Sequence, residues 1–274
     1  MDIYAVLLVK DEADIIRPVL DAAAEWATGI FVLDNGSTDG TWEIVQSMES
    51  EVVHPWKQDQ TPYRRSLRAE IFNQFRHLAR GGDWWCNMDA DEFYVDDPRE
   101  FLAQVPRRFH VVMKKSIDYR LTHEDVAEYS FTGDFSADRT KLQYLEPHSW
   151  IETRFFRHRP RLRWDSSGPT ASDLPAHLGV HYPRPILAKH YQYRSPHQIQ
   201  RRLDVRNAVP RDPEKGPFKH IRQTAWQETL VPRSETVKDS GPDTWAALPA
   251  RSRVADKLPR RVVKHLMHGL GLWA

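Results

Sequence analysis

With 274 residues, 40% of them hydrophobic and 28% charged, the chain can bury the core of one large α/β domain and lacks the composition of a disordered segment. Lysine plus arginine exceed aspartate plus glutamate by only 39 to 38, so no net field draws it onto nucleic acid, although acids crowd into residues 1–100 and residues 251–265 are strongly basic. A single cysteine, Cys86, excludes an intrachain disulfide framework and a thiolate zinc cluster, and fits a reducing compartment.

Taken from the N-terminus, Ile3 to Val9 is a nearly continuous apolar run that predicts a strand buried on both faces. It is too short to span a membrane, lacks a basic leader, and no run of about 18 apolar residues follows, which predicts a cytoplasmic protein, peripheral at most on the inner membrane face. Asp14 to Thr28 places Ile15, Val19, Ala22, Ala23 and Trp26 at helical spacing with Pro18 in the first turn; Gly29 stops that helix and Ile30 to Leu33 is a second strand. The segment DNGSTDG at 34–40 then leads into a helix over Thr41 to Met48. Val52-Val53 reads as a third strand, and a helix from about Tyr63 to Ala79 carries Arg64, Arg65, Arg68 and Arg76. On it Arg64 and Arg65 each share a face with Arg68. Gly81-Gly82 breaks the helix before a strand over Trp84 to Met88. This alternation predicts a doubly wound, mainly parallel α/β sheet that binds ligands at the carboxyl ends of its strands. Beyond residue 105, Phe109 to Met113 and Ile151 to Phe156 read as strands between long polar connections. The tail ends in VVKHLMHGLGLWA, an apolar face interleaved with Lys264, His265 and His268.

Two strand-end loops carry the chemistry. DADEF at 89–93 holds three carboxylates in four positions, and a strand ending at Met88 would deliver Asp89 and Asp91 to one face. Such neighbours stay ionised most easily beside a cation, and hard oxygen ligands suit Mg²⁺ or Mn²⁺ shared with a diphosphate. The plainer alternative is an acidic loop that caps a strand. Asp34 can accept hydrogen bonds from a ribose hydroxyl or a base N–H, or it can simply end a well-made strand-to-helix turn. There is no GxGxxG and no Walker loop, which weighs against dinucleotide and P-loop readings.

Together, VLLVKDEADI at 6–15, FVLDNGSTDGT at 31–41 and the DADEF loop resemble the GT-A glycosyltransferases of the large family-2 type, over about residues 1–100. The resemblance implies a GT-A, Rossmann-like sheet flanked by helices with an irregular C-terminal extension. It divides the chain into a nucleotide-sugar half (1–105), an acceptor half (106–205) and a basic, partly helical extension (206–274). It also implies a nucleotide-diphosphate-sugar donor, a divalent metal and inversion at the anomeric carbon. By position, Val9, Lys10, Asp11 and Glu12 would line the nucleotide pocket with Asp34, and Asp89, Ala90 and Asp91 would meet the donor, Asp91 being the more direct metal ligand and Asp89 a second. Relatives often have Asn at the position of Asp11, which leaves its role open. HYQYRS at 190–195, followed by Gln198 and Arg201-Arg202, resembles the His-Tyr-x-x-Arg-Ser stretch of one branch. This makes His190 a candidate third metal ligand, and Arg194 and Arg68 candidate partners of the diphosphate.

Inverting transfer needs a carboxylate that takes the acceptor proton from across the sugar, away from the metal ligands. Related enzymes place it in a loop well beyond the Asp-x-Asp pair. Asp165 is the first choice, with Asp173 and Glu152 as alternatives; the first two flank Ser166-Ser167-Gly168-Pro169. The acceptor would be a glycan or glycolipid of a bacterial surface, and the basic C-terminal stretch could meet an anionic membrane or simply pack on the domain with its charges outward. Two other classes compete: a nucleotidyltransferase, which would normally show a basic, Gly-rich signature where this chain has VKDEAD, and a non-catalytic sugar-binding module using its 10 Trp and 9 Tyr as stacking platforms.

Overall fold

The computed structural model describes residues 1–64, 66–167, 171–208, 222–252 and 258–273. Arg65, Gly168, Pro169 and residues 253–257 of the basic stretch lie outside them. The first half runs β1 (Ile3–Val9), α1 (Ile16–Ala24), β2 (Gly29–Asp34), α2 (Thr41–Ser47), β3 (Val53–Gln58), α3 (Leu67–Phe75), β4 (Trp84–Met88), β5 (Glu92–Tyr94) and α4 (Pro98–Ala103). The second continues with β6 (Val111–Arg120), α5 (His123–Glu128), α6 (Phe135–Asp138), β7 (Tyr144–Leu145), β8 (Ser149–Arg157), β9 (Ile186–His190), α7 (Pro196–Ala208), β10 (Val237–Lys238), α8 (Pro242–Ala247), β11 (Ala250–Ser252) and α9 (Leu258–Gly269).

One sheet joins these strands: eight lie in the order β10-β7-β6-β8-β4-β1-β2-β3, while β9 pairs with β5 and β6, and β11 with β8. The block β4-β1-β2-β3 is parallel; β8 adds to its edge antiparallel, and β6 pairs antiparallel with β8. All seven residues of β1 are buried because helices cover both faces. Ile3, Ala5 and Leu7 pack in one apolar layer with Ile16, Val19 and Leu20 of α1, whereas Tyr4, Val6 and Leu8 pack in the other with Leu67, Ile71 and Phe72 of α3. The parallel register sets Val9 beside Asp34 and Leu7 beside Met88, which brings the ends of β1, β2 and β4 to one edge.

The third strand, expected at Val52-Val53, spans Val53–Gln58, the first helix is shorter than expected, and three further differences bear on the site. The helix expected from Tyr63 begins at Leu67, because the Asn35 amide donates to the carbonyls of Asp59 (3.1 Å) and Thr61 (2.7 Å) and holds the preceding loop extended. Arg64 therefore lies outside the helix and pairs with Glu70 at 2.7 Å instead of sharing a face with Arg68. The strand expected over Phe109 to Met113 runs instead from Val111 to Arg120, since Lys114 is neutralised by Glu92 and Lys115 donates to the carbonyls of Trp245 (2.8 Å) and Ala246 (3.3 Å). The segment Asp89 to Asp91 is a turn between β4 and β5, so strand alternation does not govern it and its two aspartates part company. Residues beyond 206 are tied into the same sheet, β10 pairing with β7 and β11 with β8.

Candidate active site

At the end of β2, the Asp34 carboxylate is fully buried. Its Oδ1 accepts from the Ser37 backbone N–H (2.8 Å) and Gln58 Nε2 (3.2 Å), while Oδ2 has no hydrogen-bond partner among the described residues. The loop after β1 is laced to this turn. Lys10 Nζ donates to the carbonyls of Asn35 (2.9 Å) and Gly36 (2.8 Å), and Glu12 N–H to Thr41 Oγ1 (2.8 Å). Asp11 sits at φ +53°, donates its N–H to Ser37 Oγ and accepts from Thr38 N–H, both at 2.8 Å. Asn and Asp tolerate this left-handed conformation better than most residues, so Asp11 is accounted for as a turn residue.

The acidic loop after β4 splits its charges. Asp89 is ion-paired with Arg68 and Arg154, which outweigh burial and hold its carboxyl well below the usual range. Glu92 is buried against Lys114 and against Arg154, whose Nη2 and Nε lie 2.8 and 3.2 Å away. Glu152 closes this network at 3.0 Å from both cations; burial opposes its ionisation, but Arg154 and Lys114 keep it at about 2. Ala90 is buried between the two aspartates.

Asp91 turns the other way. Its Oδ2 accepts from Arg202 Nη1 at 3.0 Å, and its Oδ1 lies 3.4 Å from His190 Nε2. The other ring nitrogen, Nδ1, lies 2.5 Å from Asp118 Oδ1. Strand register explains this convergence, since His190 on β9 is directly paired with Glu92 on β5 and with Asp118 on β6, and paired residues share a face. Burial works against a charged imidazole, yet Asp91 and Asp118 raise His190 to about 10; in return His190 and Arg202 hold Asp91 well below the usual carboxylate range. Ligand atoms of Asp91, Glu92 and His190 all lie within 4.8 Å of one another. Two carboxylates and an imidazole form a donor set that suits Mn²⁺, and among them Asp91 and His190 are less committed than Glu92.

Arg194 is buried, with Nε 2.5 Å from Asp14 Oδ2, a second ion pair to Glu12 and a hydrogen bond to the Tyr191 carbonyl (3.1 Å). It locks the loop after β1 to the segment before α7. Arg202, in the second turn of α7, bridges Glu12 (3.2 Å) and Asp91 and has no partner for its Nε among the described residues. Of the candidate bases, Asp165 and Asp173 are exposed on the loop region around Trp164, and Glu152 touches the charged network.

Of the expected residues the fold therefore brings Glu12, Asp91, His190 and Arg194 into one group and Arg68, Asp89 and Glu152 into an adjoining one, while Asp34 stands at the end of β2 beside Val9. Lys114, Asp118 and Arg154 were not anticipated. Their signal was present as charges inside otherwise apolar strands, VVMKKSIDYR and SWIETRFFR, where only a paired charge survives burial. Arg202 stood in the quoted HYQYRS region without a role.

Residues 4–112 match the model of the family described as Glycosyl transferase family 2. No curated protein matches the chain. Among solved structures, S. aureus TarS 1–349 in complex with UDP is 13% identical, with 75% of this chain and 64% of that one covered and a TM-score of 0.40. The mannosyltransferase PcManGT from Pyrobaculum calidifontis in complex with GDP-Man and Mn²⁺ is 13% identical over 99% of this chain and 80% of that one, at a TM-score of 0.42. The mannosyl-3-phosphoglycerate synthase from Rubrobacter xylanophilus is 16% identical over 81% and 80%, at 0.35. The chain spans 64% and 39% of the lengths of the two TarS structures it matches. The family match thus falls on the part of this mixed α/β fold that runs from β1 into β6 and carries Asp34, Asp89 and Asp91.

Proposed function

We propose that this chain is a metal-dependent inverting glycosyltransferase that moves a sugar from a nucleotide-diphosphate-sugar to the hydroxyl of a glycan or glycolipid acceptor in bacterial surface synthesis. The observation that carries the reading is the meeting, at one sheet edge, of a buried Asp34 oxygen without a partner among the described residues and the Asp91–His190 pair, inside and beside the segment that matches the family model. Asp34 Oδ2 is suited to a ribose hydroxyl or base N–H. Asp91 and His190 would hold Mn²⁺ or Mg²⁺, with Glu92 as the third donor and Asp89 acting through its arginines. When bound, the ion supplies positive charge against the diphosphate.

The chain's own groups account for the rest. Arg202 offers its Nε, without a partner among the described residues, to the charge that develops on the leaving diphosphate, a task Arg194 is less free to perform because Glu12 and Asp14 already occupy it. Lys114 and Arg154 neutralise the acidic loop and keep it rigid. The acceptor oxygen attacks the anomeric carbon as the bond to the diphosphate oxygen breaks, and its proton passes to a carboxylate on the far side of the sugar. Asp165 is the proposed base. Glu152 suits the task poorly, because its two cations hold it ionised at about 2.

A panel of UDP- and GDP-sugars with and without Mn²⁺, followed by thermal shift and by donor hydrolysis, tests this reading. Stabilisation that needs the metal and disappears in Asp91→Ala supports it. Indifference to every nucleotide rejects it.

A further inference from the structure

The helix α9 is seated with its polar side inward. His268 Nδ1 lies 2.9 Å from an Arg159 guanidinium nitrogen and its ring 4.9 Å from that of His110; the His265 ring lies 6.5 Å from Phe109. Just past the helix, Arg161 donates to the Gly271 carbonyl (3.3 Å) and Trp273 lies 4.6 Å from the His177 ring. The opposite side is apolar and faces solvent. Val262, Leu266 and Leu270 succeed one another at i, i+4, with exposures of 51%, 58% and 70%, flanked by Val263 at 49% and Leu272 at 64%. These five are most of the nine large hydrophobic side chains exposed among the described residues. An ordinary surface helix points such a stripe at the core.

The seat beneath the helix is cationic. The segments that α9 touches, 107–110 (RRFH) and 157–163 (RHRPRLR), contain six arginines and no acid, and α9 itself, LPRRVVKHLMHG, contains none. Arg107, Arg108, Arg161 and Arg163 are exposed. Two terms that reinforce each other at an interface, insertion of an apolar stripe and attraction of basic side chains to anionic headgroups, are thus combined on one surface. A second copy of the same surface would set arginines against arginines, which speaks against self-association through it.

We infer that the outward face of α9, with the arginines of its seat, docks the protein onto an anionic phospholipid bilayer. The helix lies in the interface plane with Val262, Leu266 and Leu270 among the acyl chains and the arginines at headgroup level. This inference stands independently of the donor chemistry.

Flotation of the full chain with vesicles of phosphatidylcholine alone, and of phosphatidylcholine mixed with phosphatidylglycerol, tests it. The protein should float with the mixed vesicles only, come off at high salt, and bind at least about tenfold more weakly as Leu266→Glu. That variant should melt like the parent and keep its response to nucleotide, because Leu266 is exposed and remote from the charged cluster. Failure to float with either vesicle overturns the inference, as does undiminished binding by Leu266→Glu. So does a solution dimer that Leu266→Glu disperses in a protein that ignores vesicles, since the stripe would then belong to a second copy.

Discussion

At the proposed metal site, His190 is the residue where a proton and a metal ion would compete most directly. Asp91 and Asp118 flank its ring and raise its pKa from 6.5 to about 10 against the effect of burial. Near neutral pH the imidazolium then outnumbers the neutral ring by about a thousand to one, and freeing Nε2 for a metal costs about 4 kcal/mol. That cost falls by about 1.4 kcal/mol for each step of one in pH, so the apparent affinity for Mn²⁺ should climb about tenfold per step between roughly pH 7 and 9. Asp91 and Asp118 are both held below the usual carboxylate range and stay ionised throughout, so they add no slope. The sign for the metal-free protein is opposite. A raised histidine contributes stability that is complete below about 6.5 and is lost as pH rises through about 10, so metal-free protein should melt earlier as Mn²⁺ protection grows. Calorimetric titration of Mn²⁺ in two buffers of different ionisation heat should register about one proton released per ion bound. Affinity that is flat with pH, or a His190→Gln variant that keeps the parent's slope, would refute the assignment of Nε2 as a ligand.

Three further outcomes are expected. Lys114→Met should cost ~3 kcal/mol in chemical denaturation by leaving Glu92 short of a buried partner, and Lys114→Met/Glu92→Gln should recover part of the loss; simple addition of the two single losses would contradict the pairing. Asp34→Asn keeps an acceptor for the Ser37 cap but loses the free acceptor, so calorimetry should show nucleoside diphosphate affinity weakened about tenfold or more, and unchanged affinity removes Asp34 from the nucleotide pocket. Gly179→Ala should destabilise the fold by ~2 kcal/mol, read as a lower thermal midpoint, since Gly179 has φ +96° and an added Cβ would lie 2.4 Å from His110 Nδ1.

The parallel half of the fold was legible because its strands are apolar without interruption and its loops carry explicit turn residues. β1 was read to its exact bounds, and β4 likewise between Gly82 and Asp89. β6 and the start of α3 were misjudged for one shared reason: a long-range partner overrode the local signal. Lys114 is tolerable in a strand only because Glu92, 22 residues earlier, neutralises it, and the chain before Leu67 stays extended only because Asn35 holds it from 24 and 26 residues away. The site followed the same pattern. Asp34 and Asp91 announced themselves by motif and His190 by resemblance. Asp118 could be found only through the register of β6 on β9, which no local pattern encodes. The basic tail was read for its charge, but the reversal of its faces depends on the arginines beneath it.

The two ion pairs from Glu12 to Arg194 and Arg202 close loops of 182 and 190 residues. Contacts of that span are among the last a chain can form, because the entropy of closing the loop is lost before any bond repays it. A nascent chain that has released only the family-2 segment already carries Glu12, Asp89 and Asp91, but not the cations at 194 and 202 that balance the first and last of them. The charge cluster is thus a checkpoint on completeness: a truncated product keeps the motif by which the family is identified, yet holds an uncompensated acidic edge in place of a site.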